Sequence, residues 1–266
     1  MIPASFDYQR AGSADEAIAL LTEHGDEAKL LAGGHSLLPL MKLRLASPSV
    51  LIDVGRLDDL RYIRDAGDHI AIGALTRHRE LETSALLAEA APLLSHAAGH
   101  VGDPQVRHRG TIGGSLANSD PAADYPGAVM GLNGTIVTNK RSIKADDYFL
   151  GLFETALERD EIITSVRFPI PERAAYQKFR HPASGYAVVG VMVSKTGADV
   201  RVGVTGAGPC AFRMSEMEAA LAKSFTTDAI KDLKGNADDL LSDIHSTNEY
   251  RAHLVGVLAR RAVAEA

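Results

Sequence analysis

Two glycine pairs, about eighty residues apart, most constrain what this chain can fold into. The first is Gly33-Gly34 and the second is Gly113-Gly114. Glycine lets a backbone approach a ligand closely and adopt dihedral angles closed to other residues, so successive amides can point at one anion. The first pair follows a predicted strand, Lys29–Leu31, and precedes a predicted helix, Leu37–Leu45, which is the order of elements in a phosphate site.

The first pair alone does not decide between a phosphate loop and a strand-to-helix turn capped by Ser36. The second pair repeats the chemistry between Thr111 and Ser115, and polar residues, Asn118 and Asp124 among them, follow closely. A dinucleotide has two phosphates, two sugars and two ring systems, so two amide-rich loops suit it better than either loop alone. Asp124 either accepts a hydrogen bond from such a ligand or caps the helix that follows it.

Other common site motifs are missing from the chain. Neither loop has the G-x-G-x-x-G spacing of a Rossmann fingerprint or the lysine of a P-loop, and no G-x-S-x-G elbow is present. His96 and His100 lie four residues apart without the carboxylate of an H-E-x-x-H pattern, so we interpret them as ordinary polar positions and expect no metal site. We predict no catalytic side chain, which fits a protein whose chemistry is supplied by a cofactor.

Charge and cysteine content narrow the class further. A net charge of -6 leaves no basic surplus for nucleic acid. The single cysteine, Cys210, cannot furnish an iron-sulfur cluster or a structural zinc site, so any metal redox centre must lie in another chain. Because residues 1–10 do not resemble a signal peptide and no long apolar run occurs, we predict a cytoplasmic protein without a transmembrane segment.

The pattern of apolar residues predicts a mixed α and β chain in two parts, divided where Pro169 and Pro171 interrupt regular structure. Ser13 and Glu16 have the form of a capping box that starts a helix ending at Gly25. The Gly- and Asp-rich stretch 101–125 is expected to be a functional loop. The further predicted elements are strands at 50–54, 135–139, 162–168, 187–194 and 200–205, a hairpin of 60–64 with 69–73 that turns at Ala66-Gly67, and helices at 125–132, from 214 and at 247–264.

Two motifs resemble one family, the FAD-binding medium subunits of the xanthine dehydrogenase and carbon monoxide dehydrogenase group. They are the segments AGGHSLLP at 32–39 and TIGGSLAN at 111–118, the latter continued by DPAAD at 120–124. The resemblance implies an α+β fold: an FAD-binding domain of the vanillyl-alcohol-oxidase (PCMH) type at 1–170, with subdomains at about 1–55 and 56–170. A small C-terminal α+β domain with a three-stranded sheet would follow at 171–266.

The same resemblance implies which residues hold FAD. The two loops would wrap the pyrophosphate, other positions would line the site, a basic residue would stand near the polar edge of the flavin, and an aromatic residue would cover the isoalloxazine. The residues implied are Ala32, Gly33, Gly34, His35, Ser36 and Leu37 in the first loop; Thr111, Ile112, Gly113, Gly114, Ser115, Ala117 and Asn118 in the second; Val101, Asp124, Ile162 and Ile163 along the site; Arg180, with Lys178 as its neighbouring candidate, at the polar edge; and Tyr186 over the ring.

The family's electron path implies partners for this chain. Electrons would pass from a molybdopterin centre in a large subunit, through two 2Fe-2S clusters in a small subunit, to this FAD and then to an acceptor, in a dimer of heterotrimers. The carbon monoxide dehydrogenase type is the first hypothesis, although the resemblance leaves open both the substrate and the acceptor. The alternatives are a stand-alone FAD oxidoreductase acting on its own small substrate, and a scaffold whose glycine loops only turn corners.

Overall fold

The computed structural model describes residues 1–266 and confirms a mixed α and β fold. Its strands form a three-stranded, a five-stranded and a four-stranded sheet and one small hairpin. No helix is both long and apolar enough to cross a bilayer.

The N-terminal sheet is parallel, with β3 between β1 and β2. Ser13 caps α1 by accepting the N–H of Glu16, as the sequence predicts. Helix α2 is shorter than predicted and ends at Lys42, because Arg44 turns to φ 61° and nothing covers the exposed side chain of Leu45. The elements are β1 (Asp7–Arg10), α1 (Ala14–His24), β2 (Ala28–Leu31), α2 (Leu37–Lys42) and β3 (Val50–Asp53).

The central sheet is antiparallel in the order β4-β5-β10-β6-β7. Its first hairpin turns at Gly67, φ 92°, as predicted. The expectation of a loop throughout 101–125 was wrong, because this stretch forms two short helices, α6 and α7, started by Asp103 and Thr111. The elements are β4 (Ile63–Asp65), β5 (His69–Gly73), α3 (His78–Glu82), α4 (Ala85–Ala90), α5 (Pro92–Gly99), α6 (Pro104–Arg107), α7 (Ile112–Asn118), α8 (Asp124–Gly131), β6 (Thr135–Thr138), β7 (Ser142–Lys144), α9 (Ala145–Tyr148), β8 (Phe149–Gly151), β9 (Glu154–Thr155) and β10 (Ile163–Pro169).

The C-terminal sheet has four strands, not the three predicted. The fourth has only two residues, too few to show a pattern, and is held because Arg213 pairs with Glu218 and Asp146. The first strand, β11, escaped sequence analysis because charged residues are interspersed along it. The elements are β11 (Arg173–Arg180), β12 (Ala187–Thr196), β13 (Asp199–Thr205), β14 (Phe212–Arg213), α10 (Ser215–Lys223) and α11 (Asn248–Glu265).

Strand β12 joins two apolar cores. Met192 belongs to the core shared with the central region, whereas its neighbours Val191 and Val193 face the core formed with α10 and α11. Burial on both faces explains why this strand reads as a continuous apolar run rather than an alternating one. A third, N-terminal core includes Ile162 and Leu75 together with residues of β3.

Helix α8 lies against β12 and β13 through glycines. A Cβ on Gly203 would lie 2.5 Å from the Gly131 nitrogen and 2.6 Å from the Gly127 oxygen. This close approach fixes the position of α8, whose first residue is Asp124.

We therefore expect Gly203→Ala to lower the free energy of unfolding by about 1–3 kcal/mol, because the added methyl overlaps backbone atoms. Gly99→Ala is the matched control, since its Cβ would meet nothing closer than 3.7 Å. Chemical unfolding measures both. Equal stability of the two variants would contradict the glycine-mediated packing.

Candidate functional site

The first glycine loop presents six consecutive unpaired amides. The backbone N–H groups of residues 32–37 donate to no protein atom, so the loop offers them to a ligand. Gly34 has φ 77°, a left-handed conformation that favours glycine. Ser36 makes no side-chain capping bond, and α2 has only six residues. This loop therefore supplies unpaired amides rather than the dipole of a long helix.

The second loop differs from the first in its hydrogen bonds. The N–H groups of Ile112 and Gly113 donate to the carbonyls of Thr76 and Ala74, at 3.1 and 2.8 Å. Those of Gly114 and Ser115 donate to Thr111 Oγ1 and Thr111 O, at 3.2 and 3.0 Å. The sequence predicted the same amide chemistry for both loops, but in this segment only the Thr111 N–H remains unpaired.

The two loops lie against each other, as a shared ligand site requires. A Cβ on Gly33 would lie 2.2 Å from the Arg109 carbonyl oxygen, and one on Gly114 would lie 3.9 Å from the Ala32 Cβ. Gly33 is therefore needed for loop-to-loop contact, whereas the sequence-based hypothesis gave it the role of leaving space for phosphate. Gly113 fills a comparable role against Ala74, 2.6 Å from its would-be Cβ.

A second cluster forms around a buried ion pair. Lys178 Nζ lies 2.8 Å from Asp124 Oδ1, with the two side chains 1% and 5% exposed, and donates to the carbonyl of His100 at 3.1 Å. The Tyr176 hydroxyl donates to Asp124. Burial raises the pKa of the Asp124 carboxyl, and the Lys178 ammonium opposes that shift. The cluster ties β11 to the segment just before Val101.

Asp124 therefore does not cap α8. The N-cap position is Ala123, and Asp124 is the first helical residue, with its carboxylate turned to Lys178 and Tyr176. Local sequence could not show this, because the lysine lies 54 residues further along the chain.

The remaining predicted residues are more scattered. Arg180 and Tyr186 are exposed but lie near the second cluster. The charge of Arg180 opposes the rise that burial causes in the pKa of Asp124, and burial, followed by the charges of Asp120 and Asp124, raises the pKa of Tyr186. Ile162 and Ile163 are buried in two different cores. The other predicted residues surround the loops: His35 and Ala117 are exposed, and Leu37 and Asn118 are half-buried.

Sequence analysis missed Glu161, which fixes the start of β10. Its carboxylate accepts from Thr138 Oγ1 at 2.7 Å, from Arg141 Nε at 3.0 Å and from the Glu158 N–H at 3.0 Å. Hydrogen bonds from Arg141 lower the pKa of Glu161 to about 2, although burial opposes the shift. An isolated glutamate after Asp160 carries no signal in the sequence that would have revealed this role.

His78 was also missed. It is 4% exposed, and a Cβ on Gly110 would lie 2.5 Å from its Nε2 atom, so the ring packs against the residue that precedes the second loop. Burial lowers the pKa of His78 to about 3, which keeps the ring neutral near pH 7. The Arg-His dipeptide at 77–78 resembles an ordinary helix start in sequence.

The pair His96 and His100 lies on and just after α5. The two Nε2 atoms are 2.8 Å apart, and burial lowers the pKa of His100 to about 4. No group of three or more metal-binding side chains surrounds them.

Comparison with known proteins identifies the family of this chain. Residues 4–171 match the family model described as the FAD binding domain in molybdopterin dehydrogenase, and residues 174–266 match the CO dehydrogenase flavoprotein C-terminal domain. The carbon monoxide dehydrogenase medium chain of Hydrogenophaga pseudoflava is 37% identical, covering 99% of this chain and 97% of its own. The glyceraldehyde dehydrogenase medium chain of Sulfolobus acidocaldarius is 34% identical, covering 100% and 99%.

A solved structure agrees over the whole chain. The carbon monoxide dehydrogenase of Hydrogenophaga pseudoflava lacking the Mo-pyranopterin moiety matches with a TM-score of 0.91 and 38% identity, covering 100% of this chain and 98% of the other. The fold and the loop pair thus define an FAD-dependent oxidoreductase subunit. The chain belongs to the family of FAD-binding medium subunits of molybdenum hydroxylases.

We expect Glu161→Gln to lower the free energy of unfolding at pH 7 by about 2–3 kcal/mol. This is less than the roughly 3–4 kcal/mol that corresponds to the pKa depression, because the Arg141 side chain is 45% exposed and solvent screens part of the interaction. A depressed pKa stabilises the fold above the unfolded-state value of 4.5, and this contribution is lost as pH falls towards about 2. Urea unfolding across this range measures it. The exposed Glu23→Gln is the control, and a deficit that stayed constant between pH 7 and pH 3 would count against the assignment.

Proposed function

We propose that this chain holds one FAD between its two glycine loops and passes electrons from iron-sulfur clusters of a partner subunit to an external acceptor. The observation that carries the proposal is the run of six unpaired amides at 32–37, lying against the segment that leads into the second loop. Unpaired amides at a solvent-accessible bend suit a diphosphate, because each can donate to an anionic oxygen.

The residues present fit FAD, and the two loops would contribute to its binding in different ways. Amides of residues 32–37 would bind the diphosphate, and the Thr111 N–H would add one donor from the second loop. Gly113 and Gly114 supply shape rather than donors, since their own amides are satisfied internally. The exposed ring of Tyr186 provides an apolar face for the isoalloxazine, with Arg180 nearby as a cation.

FAD supplies the redox chemistry in this family, and the protein's part is to place and shield it. The Asp124–Lys178 pair would hold Val101 and β11 in a fixed relation beside the ring end of the site. Because that pair is internally neutralised, it fixes position without adding net charge there.

We propose the domain organisation that the family resemblance implies. An FAD-binding domain of the vanillyl-alcohol-oxidase (PCMH) type would span 1–170, with subdomains at about 1–55 and 56–170, and a smaller domain would span 171–266. Support comes from the family models, which change between residues 171 and 174. The N-terminal core extends past residue 55 through Leu75 and Ile162, so the subdomains share apolar contacts.

The proposed partners are a molybdopterin-binding large subunit and an iron-sulfur small subunit, in a dimer of heterotrimers. The single cysteine supports this, because the chain cannot hold a cluster itself. Relatives of similar identity are named for carbon monoxide, for glyceraldehyde and for nicotine. We therefore propose only the subunit role that these relatives have in common. The carbon monoxide dehydrogenase type and a cytoplasmic location remain predictions.

Purification from the native host, with an affinity tag on this chain, tests the proposal. We expect stoichiometric FAD, measured by absorbance of the released flavin, together with two partner chains, one rich in cysteine and one carrying molybdopterin. A colourless chain would overturn the flavin role, and flavin without partners would favour the stand-alone oxidoreductase.

Within the same preparation, Gly114→Val should lose FAD, because its side chain would displace the Thr111 hydroxyl, 2.9 Å from the would-be Cβ, and press on Ala32. Gly99→Val is the matched control, because the φ of Gly99 is outside the left-handed region and its would-be Cβ meets no atom closer than 3.7 Å. Full FAD content in the Gly114 variant would count against the loop pair as the site.

A further inference from the structure

A two-stranded hairpin carries an apolar tip that the rest of the chain leaves largely uncovered. Its strands, β8 and β9, are joined by a turn at Leu152 and Phe153. We call Leu150, Leu152 and Phe153 the apolar tip; these residues are 57%, 57% and 56% exposed. No residue from Tyr148 to Phe153 is charged. Exposed apolar residues that lie together mark an interaction site, whereas single ones are ordinary on protein surfaces.

The base of the hairpin is firmly anchored in the central region. Tyr148 and Phe149 are both buried, with their ring centroids 4.9 Å apart in an edge-to-face arrangement. The Tyr148 hydroxyl donates to the carbonyl of Leu116 in α7, at 3.3 Å. The Ser119 hydroxyl donates to the carbonyl of Glu154, at 3.4 Å. An anchored surface loses little conformational freedom on binding, so the tip is preorganised for a partner.

The residue at the turn is not the one that the backbone would favour. Phe153 has φ 55°, in the left-handed region, where glycine and asparagine are the usual residues. A phenylalanine that is more than half exposed adds little burial to the fold and suits this backbone poorly. Its presence is therefore better explained by binding than by folding.

The hairpin lies beside the end of the site where the flavin ring is proposed to lie. Ser119, which contacts the hairpin, is followed directly by Asp120. Asp120 lines a cavity of about 270 Å³ together with Tyr186, the residue proposed to cover the isoalloxazine. The segment between α7 and α8 therefore touches both the hairpin and the ring end of the site.

We propose that the apolar tip docks into an apolar recess of the partner subunit that carries the iron-sulfur clusters. This inference rests on the proposed function and assigns to that partner a surface on this chain. Because the chain has a single cysteine, the clusters must lie in another chain. Electrons enter FAD at its isoalloxazine, so that other chain has to approach the ring end of the site, where the hairpin lies.

The surroundings of the tip define the chemistry of the recess. Asp147 and Glu154 flank the tip in sequence and are exposed, so the apolar centre has an acidic rim. An apolar core within a polar rim is the usual arrangement of a protein interface. Charge complementarity therefore predicts a basic rim around the recess of the iron-sulfur partner.

Photo-crosslinking in the native host identifies the occupant. With p-benzoylphenylalanine in place of Leu152 in the tagged full chain, we expect a crosslink to the cysteine-rich chain that contains iron. The same group in place of Leu45, which is 73% exposed and precedes β3 in the N-terminal sheet, is the control and should not crosslink to that chain. A crosslink from position 152 to the molybdopterin-binding chain or to a second copy of this chain, or to neither, would overturn the proposal.

The double variant Leu152→Ser, Phe153→Asn tests how much the tip contributes to assembly. We expect the iron-to-flavin ratio of the purified complex to fall about tenfold or more, as truncation of anchor residues at an interface implies. FAD content per tagged chain should not change, because neither residue lines the cavity beside Tyr186 or the one beside the glycine loops. Leu45→Ser is the matched control and should leave both values unchanged.

Thermal unfolding of the isolated chain shows whether the tip serves the fold. The double variant should unfold close to the wild-type temperature, because the replaced residues are exposed and asparagine suits a positive φ. A clearly lower unfolding temperature, a loss of FAD or an unchanged iron-to-flavin ratio would each overturn the proposal. In all three, the wild-type chain still holds FAD and its partners, so the proposed function stands. A wild-type chain that purified without an iron-sulfur partner would instead remove the proposed function itself.

Discussion

The structure depends on one contact, between Gly33 and the backbone of Arg109 and Gly110. The would-be Cβ of Gly33 lies 2.2 Å from the Arg109 oxygen, a distance that only a glycine permits. The contact brings a loop that follows a parallel strand against a segment about 75 residues further along the chain. With this contact in place, six amides remain unpaired on the first loop, and the cavity beside them is lined by Arg10, Arg56, Arg61, Arg77 and Arg109. The first loop and these arginines therefore border the same cavity.

The two loops contribute differently although their sequences are alike. The second loop is an internally bonded helix start, capped by Thr111 and packed on Ala74 and Thr76, and it serves as a rigid wall. The first loop provides the free donors. A second rigid point, the Asp124–Lys178 pair, joins β11 to α8 with both side chains almost fully buried. Separating the two side chains would leave an uncompensated charge buried. The pair therefore fixes the position of the C-terminal sheet relative to the flavin-binding part of the chain.

Sequence analysis predicted those features that depend only on residues close together in the chain. The N-cap at Ser13 and the hairpin turn at Gly67 follow from short-range chemistry and are confirmed, although Glu16 accepts from the Gly12 N–H rather than from the Ser13 N–H that a capping box requires. What depends on distant partners was not accessible: the ion pair of Asp124, the hydrogen bonds of Glu161 and the amide partners of the second loop. The convergence of arginines is of the same kind, because Arg10 and Arg109 belong to different elements and only the fold brings them to one cavity. The fourth strand of the C-terminal sheet was missed because its two residues show no periodicity.

Hydrogen exchange of individual backbone amides, with and without FAD, tests the central claim most directly. In the flavin-free chain, the amides of residues 32–37 should exchange fast, because they have no partner, while those of 112–115 should already be protected by the bonds described above. Added FAD should slow exchange at 32–37 by about tenfold or more. Protection that appeared elsewhere while residues 32–37 continued to exchange fast would contradict the account.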